Sequence, residues 1–279
     1  MIIVDSASIH ILFLGTGAAD WPSSYTASID GRCGSVRGYS SVLVDGRVLI
    51  DCGSTVPNAI ERFGADPSCI TDILLTHTHC DHCDIDAIRH LASLRKPKTT
   101  INLRAHPSAL SNLPEIKGVH QCPTEAGEAF SLASLTFTGL VANHPCGHVT
   151  ALHYLFQNAK SSVLYATDGS WFLKKTWLYL KEHVLDAIIW DATCGESQGD
   201  WRIFEHSSVD MIRIQRQTLE REGVLPPHGR IFLTHMARTL CAAHLDMTER
   251  LTPEGLVPAY DGLEISIYSA EQSVACKNT

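Results

Sequence analysis

Four imidazole and carboxylate side chains able to ligate a metal stand within six residues at His77-Thr78-His79-Cys80-Asp81-His82. They follow Ile73-Leu74-Leu75, an apolar run that reads as a buried strand. Imidazole and carboxylate suit zinc, manganese or iron. Histidines two apart at a strand end can both turn toward one ion. Asp81 and His82, placed at the start of the next helix, can turn toward a second. A single histidine is more often a core or surface residue, but a cluster of ligand types after a strand points to a metal centre. Cys80 and Cys83 have the spacing of a redox or zinc-knuckle pair. They interleave with better ligands, and no second pair follows.

The elements that must hold this cluster can be read from the same sequence. Met1–Leu14 reads as a first strand, and the stretch from Asp20 to Tyr39 as a long functional loop. Asp45-Gly46 between Ser41–Val44 and Val48–Asp51 signals a hairpin. Pro57–Phe63 reads as a short helix, Asp72–Thr76 as a buried strand and Asp84–Leu94 as a helix with Ile85, Ile88 and Leu91 on one face. Further strands are expected at 100–105, 135–141, 151–156, 163–166, 187–190, 231–234 and 263–267. Helices are expected at 171–181, 208–222 and 237–251. Strands with hairpins first, then strands with helices between them, suit an α/β (α+β) chain folded as an αββα four-layer sandwich. No composition break interrupts the strands, so one domain over 1–279 is expected.

The chain is 44% hydrophobic and 19% charged, the make-up of a folded globular protein. Its formal charge of −8 argues against broad nonspecific binding to nucleic acid, though not against a local basic groove. No run reaches the roughly 18 apolar residues of a membrane helix. The N-terminus has no basic region before its apolar stretch, and Asp5 interrupts it, so it does not read as a secretory signal. The 10 cysteines, among them Cys52, Cys69, Cys122, Cys194 and Cys241, form no framework, which reads as reduced and cytoplasmic. The 15 histidines are the unusual count.

The segment from His77 to His82 resembles the His-x-His-x-Asp-His motif of the metallo-β-lactamase superfamily. The resemblance extends over almost the whole chain. Leu49-Ile50-Asp51-Cys52-Gly53 resembles the early motif whose aspartate supports the ligands from behind. Asn143-His144, Ala166-Thr167-Asp168-Gly169 and Phe232-Leu233-Thr234-His235 resemble the later ligand motifs, in order. The resemblance implies that His77, His79 and His144 bind one metal ion. It implies that Asp81, His82 and His235 bind another and that Asp168 bridges the two. Two divalent ions, Zn²⁺ or Mn²⁺ or Fe, are thus the implied cofactors. Such a pair, about 3.5–4 Å apart, lowers the pKa of water and neutralises a phosphoryl oxygen. A structural zinc would instead be closed by four ligands.

Asp191-Ala192-Thr193 and Glu205-His206-Ser207-Ser208 resemble motifs of the phosphodiesterase branches, ribonuclease Z and the phosphoribosyl 1,2-cyclic phosphate phosphodiesterase of the carbon–phosphorus lyase pathway. They imply that His206 is a general acid for the leaving alkoxide, oriented by Asp191; Asp81 counts both as ligand and as catalytic carboxylate. Length, order, Gly15-Thr16-Gly17 and Tyr260–Ile265 match the cyclic phosphodiesterase best. The implied substrate is a small cyclic or ribose-linked phosphodiester and the implied assembly a homodimer. That family's loop cysteine cluster is reduced here to Cys33, and Arg238 stands where its partner histidine would, so no structural zinc is expected. Ribonuclease Z is the alternative, but its long Gly/Pro-rich tRNA-clamping arm is not evident, and the acidic charge disfavours tRNA. Cyclic-nucleotide cleavage, and metal binding without turnover, are further alternatives. Arg32, Arg37, Ser40, Ser41 and His148 are candidates for substrate contact. Solvated loop arginines are the commoner outcome, and His153 reads as structural. Trp171 is placed as a pocket wall or as helix packing.

Overall fold

The computed structural model describes residues 8–23, 36–96 and 99–268. Arg32 and Cys33 lie outside the described residues. One sheet contains β1 (Ile9–Gly15), β2 (Ser41–Val44), β3 (Val48–Ile50), β4 (Asp72–Leu74), β5 (Ile101–Ala105) and β6 (Val119–Pro123). The other contains β7 (Ala129–Leu132), β8 (Leu135–Cys146), β9 (Val149–Gln157), β10 (Ser162–Ala166), β11 (Ala187–Asp191), β12 (Arg230–Thr234) and β13 (Leu256–Pro258). β14 (Glu264–Ile267) returns to the first sheet beside β1. The spatial orders are β14-β1-β2-β3-β4-β5-β6 and β13-β12-β11-β10-β9-β8-β7.

Alternation along the strands sets the layers. Ile9, Ile11 and Phe13 of β1 and Val48 and Ile50 of β3 face the second sheet, where they meet Phe137, Tyr154, Phe156, Tyr165 and Phe232. Leu12, Leu14, Leu49 and Ile73 point the opposite way, onto α1 (Val56–Arg62) and α2 (Ile85–Ser93). Leu164, Ile188, Trp190 and Leu233 point away from the inter-sheet core onto α4 (Lys174–Leu180), α5 (Val209–Arg221) and α6 (His244–Leu251). A short α3 (Pro107–Leu110) follows β5. Helix, sheet, sheet and helix give the expected four layers, with three apolar interiors between them. Truncating Phe137 or Phe156 to Ala would cost about 3–5 kcal/mol, because the closely packed sheets cannot collapse into the void. Among the described residues no helix is long and apolar enough to cross a membrane.

Two features aim the strands at one edge. β3 to β6 run parallel, and so do β10 to β13, so their C-terminal ends gather at the same side of each sheet. Crevices outside such ends are where parallel sheets bind ligands. The Asp45-Gly46 turn has both residues at positive φ, 49° and 65°, and Arg47 donates its N–H to Val44 O at 3.0 Å. That is the type I′ hairpin the dipeptide favours.

Some boundaries differ from expectation. Residues 237–243 are not helical; their helix begins at His244. The Asp20 carboxylate takes the N–H groups of Arg238 and Thr239 at 2.8 and 3.0 Å, which draws this backbone into a loop. The helix expected from Trp171 begins at Lys174. Asp81 and His82 do not start a helix: they lie in a turn, and Asp84 caps α2 by accepting from Ala87 N at 2.8 Å. The strands not anticipated, β6, β7 and β13, all lie at sheet edges. They are short or polar, so they carry little apolar alternation.

Candidate metal centre

The cluster sits where the two parallel edges meet. Thr76 to His82 follow β4, Asp168 follows β10, His235 follows β12, and His144 lies in β8 beside a break in register between Val141 and Pro145. Gly53 lets the neighbouring loop close on this turn, since a Cβ there would stand 2.1 Å from Asp81 O. Asp168 and His235 occupy the left-handed region at φ 53° and 54°. Non-glycine residues held there are strained, and such strain concentrates at functional sites.

The ligand atoms form overlapping sets. Those of His77, His79, His144 and Asp168 lie within 4.8 Å of one another, and so do those of Asp81, His82 and His235. His79 Nδ1 is 2.9 Å from His77 Nε2 and 3.1 Å from His144 Nε2. His82 Nε2 is 3.2 Å from His235 Nε2, and Asp81 Oδ2 is 3.3 Å from both. Asp168 spans the sets. Its Oδ2 is 3.5 Å from His77 Nε2 and from His144 Nε2, while its Oδ1 is 3.0 Å from His235 Nε2 and 3.3 Å from His82 Nε2.

The donor set fits divalent ions. Nitrogens bound at about 2.0–2.1 Å around one tetrahedral ion stand roughly 3.3 Å apart, close to the spacings here. Nitrogen approaches Asp168 Oδ1 to 3.0 Å, yet that buried oxygen has no aligned hydrogen bond. Imidazole nitrogens and carboxylate oxygens that converge in this way suit a cation. Burial opposes charge on His235, but Asp168 outweighs it and pushes the imidazole up to about 10. Burial likewise opposes charge on Asp168, and the histidines around it hold the carboxyl well below its ordinary range.

Behind these atoms stand two buried carboxylates. Asp51 Oδ2 is 2.8 Å from His82 Nδ1, and Thr76 Oγ1 donates to the same carboxylate while lying 2.9 Å from His77 Nδ1. Asp191 Oδ2 is 2.7 Å from His206 Nδ1 and takes Gly169 N–H at 3.0 Å. The His206 ring lies 5.2 Å from that of His235, nearly parallel at 18°, and 4.9 Å from that of His144. Burial disfavours the charged form of His206, yet Asp191 overrides it and raises the pKa. His144 donates Nδ1–H to Glu205 O at 3.1 Å, which ties the His206 loop to the rings of the cluster.

The Beta-lactamase superfamily domain matches residues 46–236, more than half of the chain. The chain belongs to that superfamily. It is similar to a diphosphatase of the PhnP family, with a TM-score of 0.72 at 23% identity over 93% of this chain and 97% of that one. Human tRNase Z, short form, superposes with a TM-score of 0.65 at 19% identity, covering 92% and 99% of the two chains. At these identities the structures share the metallo-β-lactamase fold. The anti-Pycsar protein Apyc1 of Paenibacillus xerothermodurans is 31% identical over 106 residues, which is 38% of each chain.

Within this superfamily member, every residue expected to ligate metal is brought to the centre, and Asp191 and His206 come with them. The loop candidates fare differently. Arg37 is not solvated: it is buried and donates to Thr16 Oγ1 at 2.5 Å and Ala259 O at 2.8 Å. Ser40 and Ser41 are buried and donate to Gly17 O and Asp51 O. His148 is exposed in the β8–β9 turn. His153 is buried beneath Gly169, where a Cβ would come 2.7 Å from its Nε2. Trp171 is 44% exposed and walls a groove with Phe172, Trp177 and Ile214. Burial pushes the Cys83 thiol up to about 12, away from the thiolate a redox pair needs. Sequence reasoning gave no role to Thr76 and Thr193. Their signal is placement, one residue before a ligand histidine and two after a supporting aspartate.

Proposed function

We propose that this hydrolase-fold protein is a dinuclear phosphodiesterase acting on a small cyclic or ribose-linked phosphodiester, such as a phosphoribosyl 1,2-cyclic phosphate. His77, His79, His144 and Asp168 would hold one divalent ion, and Asp81, His82, His235 and Asp168 the other. Such ions supply an activated water and neutralise phosphoryl charge. The observation that carries the reading is the Asp191–His206 contact of 2.7 Å beside the ligand cluster. Amide hydrolysis does not require that pair, whereas a phosphodiester does gain from it. When water oxygen adds to phosphorus and the ester P–O bond breaks, the departing alkoxide needs a proton. Asp191 holds Nδ1–H of His206, which leaves Nε2 as the nitrogen that hands one over. Stacking on His235 fixes the ring for that transfer. The net charge of −8 favours a small substrate over tRNA.

Metal analysis of protein refolded with Zn²⁺ or Mn²⁺ should find about two ions per chain. The same preparation should turn over bis(p-nitrophenyl) phosphate and open a ribose cyclic phosphate faster than it cuts pre-tRNA. One tightly closed ion, or metal without any turnover, would overturn the reading. The homodimer and the single domain, both proposed, are tested by light scattering and limited proteolysis.

A further inference from the structure

Thr193 Oγ1 has close neighbours on two sides. It is 2.7 Å from Asp191 Oδ1, 2.7 Å from His235 Nδ1, 2.8 Å from His235 O and 3.2 Å from His206 Nδ1. Thr193 is buried and its backbone N–H also reaches Asp191 Oδ1, at 2.7 Å. The hydroxyl carries one proton and accepts through its lone pairs. His235 Nε2 points at Asp168 and Asp81, so a ligand role leaves that nitrogen unprotonated and puts the ring proton on Nδ1. That proton then goes to Thr193 Oγ1. The threonine proton goes to Asp191 Oδ1, the charged one of its two near acceptors. His206 has already committed its Nδ1–H to the other oxygen of the same carboxylate, at 2.7 Å.

We infer that Thr193 is a positioning residue. It fixes the Nδ1–H form of His235 and makes the Asp191 carboxylate hold both a metal-facing imidazole and the proton-donating one. This rests on the reading of His235 as a ligand and Asp191–His206 as the acid pair. A residue that only filled space would be replaced without loss by valine, which has the same shape. A relay residue would not, because valine leaves the buried Nδ1–H without an acceptor. Groups that orient metal-bound imidazoles in this way are worth about 10–100-fold in affinity.

The test compares Thr193→Val, Thr193→Ser and wild type, loaded with Zn²⁺ in competition with a chromogenic chelator. Thr193→Val should lose about 10–100-fold in affinity for one of the two ions, and Thr193→Ser should restore it. Melting curves in excess EDTA report whether the valine variant folds. Imidazole ¹⁵N spectra of zinc-loaded wild type serve if it does not: His235 should show a protonated Nδ1 and a metal-shifted Nε2. Wild-type affinity in Thr193→Val, failure of serine to rescue, or the opposite tautomer would each overturn the inference. Wild-type protein that binds no zinc would instead refute the metal reading itself. Metal binding without diester turnover would refute the proposed reaction and leave the role of Thr193 standing.

Discussion

Two buried aspartates support the centre from opposite sheets, and they are built alike. Asp51 follows β3 and Asp191 ends β11, each in a parallel run and each fully buried. Each accepts from one histidine directly and from a threonine that touches a second histidine. For Asp51 these are His82 and, through Thr76, His77. For Asp191 they are His206 and, through Thr193, His235. The difference lies in where the rings go. His77 and His82 have side chains with no exposure, whereas the His206 side chain is 12% exposed. Burial raises the Asp51 carboxyl, while the charge of His206 overcomes burial and lowers that of Asp191. Under the proposed function, one arrangement of carboxylate, hydroxyl and imidazole would hold ligands still in one place and serve proton transfer in the other. Access of the directly held ring to solvent, none for His82 and 12% for His206, separates the two.

The largest expected effect separates the two at once. His206→Ala should slow diester cleavage by about 10²–10⁴-fold while elemental analysis finds unchanged metal content. Full activity, or lost metal, would make His206 another ligand support and dissolve the contrast. Next come the aspartates themselves. Asp51→Ala should lower metal affinity by about 10–100-fold, and added metal should restore turnover. Asp191→Ala should leave a deficit that saturating metal does not repair. Turnover measured against metal concentration reads both, and identical curves would mean the aspartates do one job. A smaller effect is expected for Thr76→Val: weaker metal binding by chelator competition, with kcat at saturating metal close to wild type.

The smallest effect concerns a histidine held by a cation instead of a carboxylate. His244 Nδ1 lies 3.2 Å from Arg37 Nη2, and burial, helped by Arg37, pushes its pKa down to about 4. The unfolded chain protonates this ring near ~6.5, so between these values the unfolded state binds the extra proton. The stabilising contribution is thus complete above about pH 6.5 and is lost as pH falls toward 4. Urea midpoints at pH 7 and pH 5 should fall further in wild type than in His244→Gln. Equal falls would show that this ring is not what titrates.

Much of the fold was legible because its strands are buried and alternate. β2, β3, β4, β8, β9, β10, β11 and β12 were all anticipated, with ends shifted by a few residues. The edge strands β6, β7 and β13 were not, since a sequence such as Val119-His-Gln-Cys-Pro carries no inward face to detect. Residues 237–243 have helical spacing, but the Asp20 carboxylate, distant in sequence, captures their N–H groups. For Arg37 the sequence offered substrate contact or a solvated loop position, and nothing near it in sequence announces Thr16, Ala259 and His244 as its neighbours.

The sequence by itself determined the candidate ligand types, their order and the buried strands that deliver them, because those depend on local spacing and periodicity. Only the tertiary structure decided that Asp168 turns one oxygen to each set of histidines, and that Asp51 and Asp191 each hold two rings. The physical reason is distance along the chain. Lone pairs and protons pair within about 3 Å, and residues as far apart as Asp81 and His235 come within 3.3 Å of one another only when two sheets bring their strand ends to one edge.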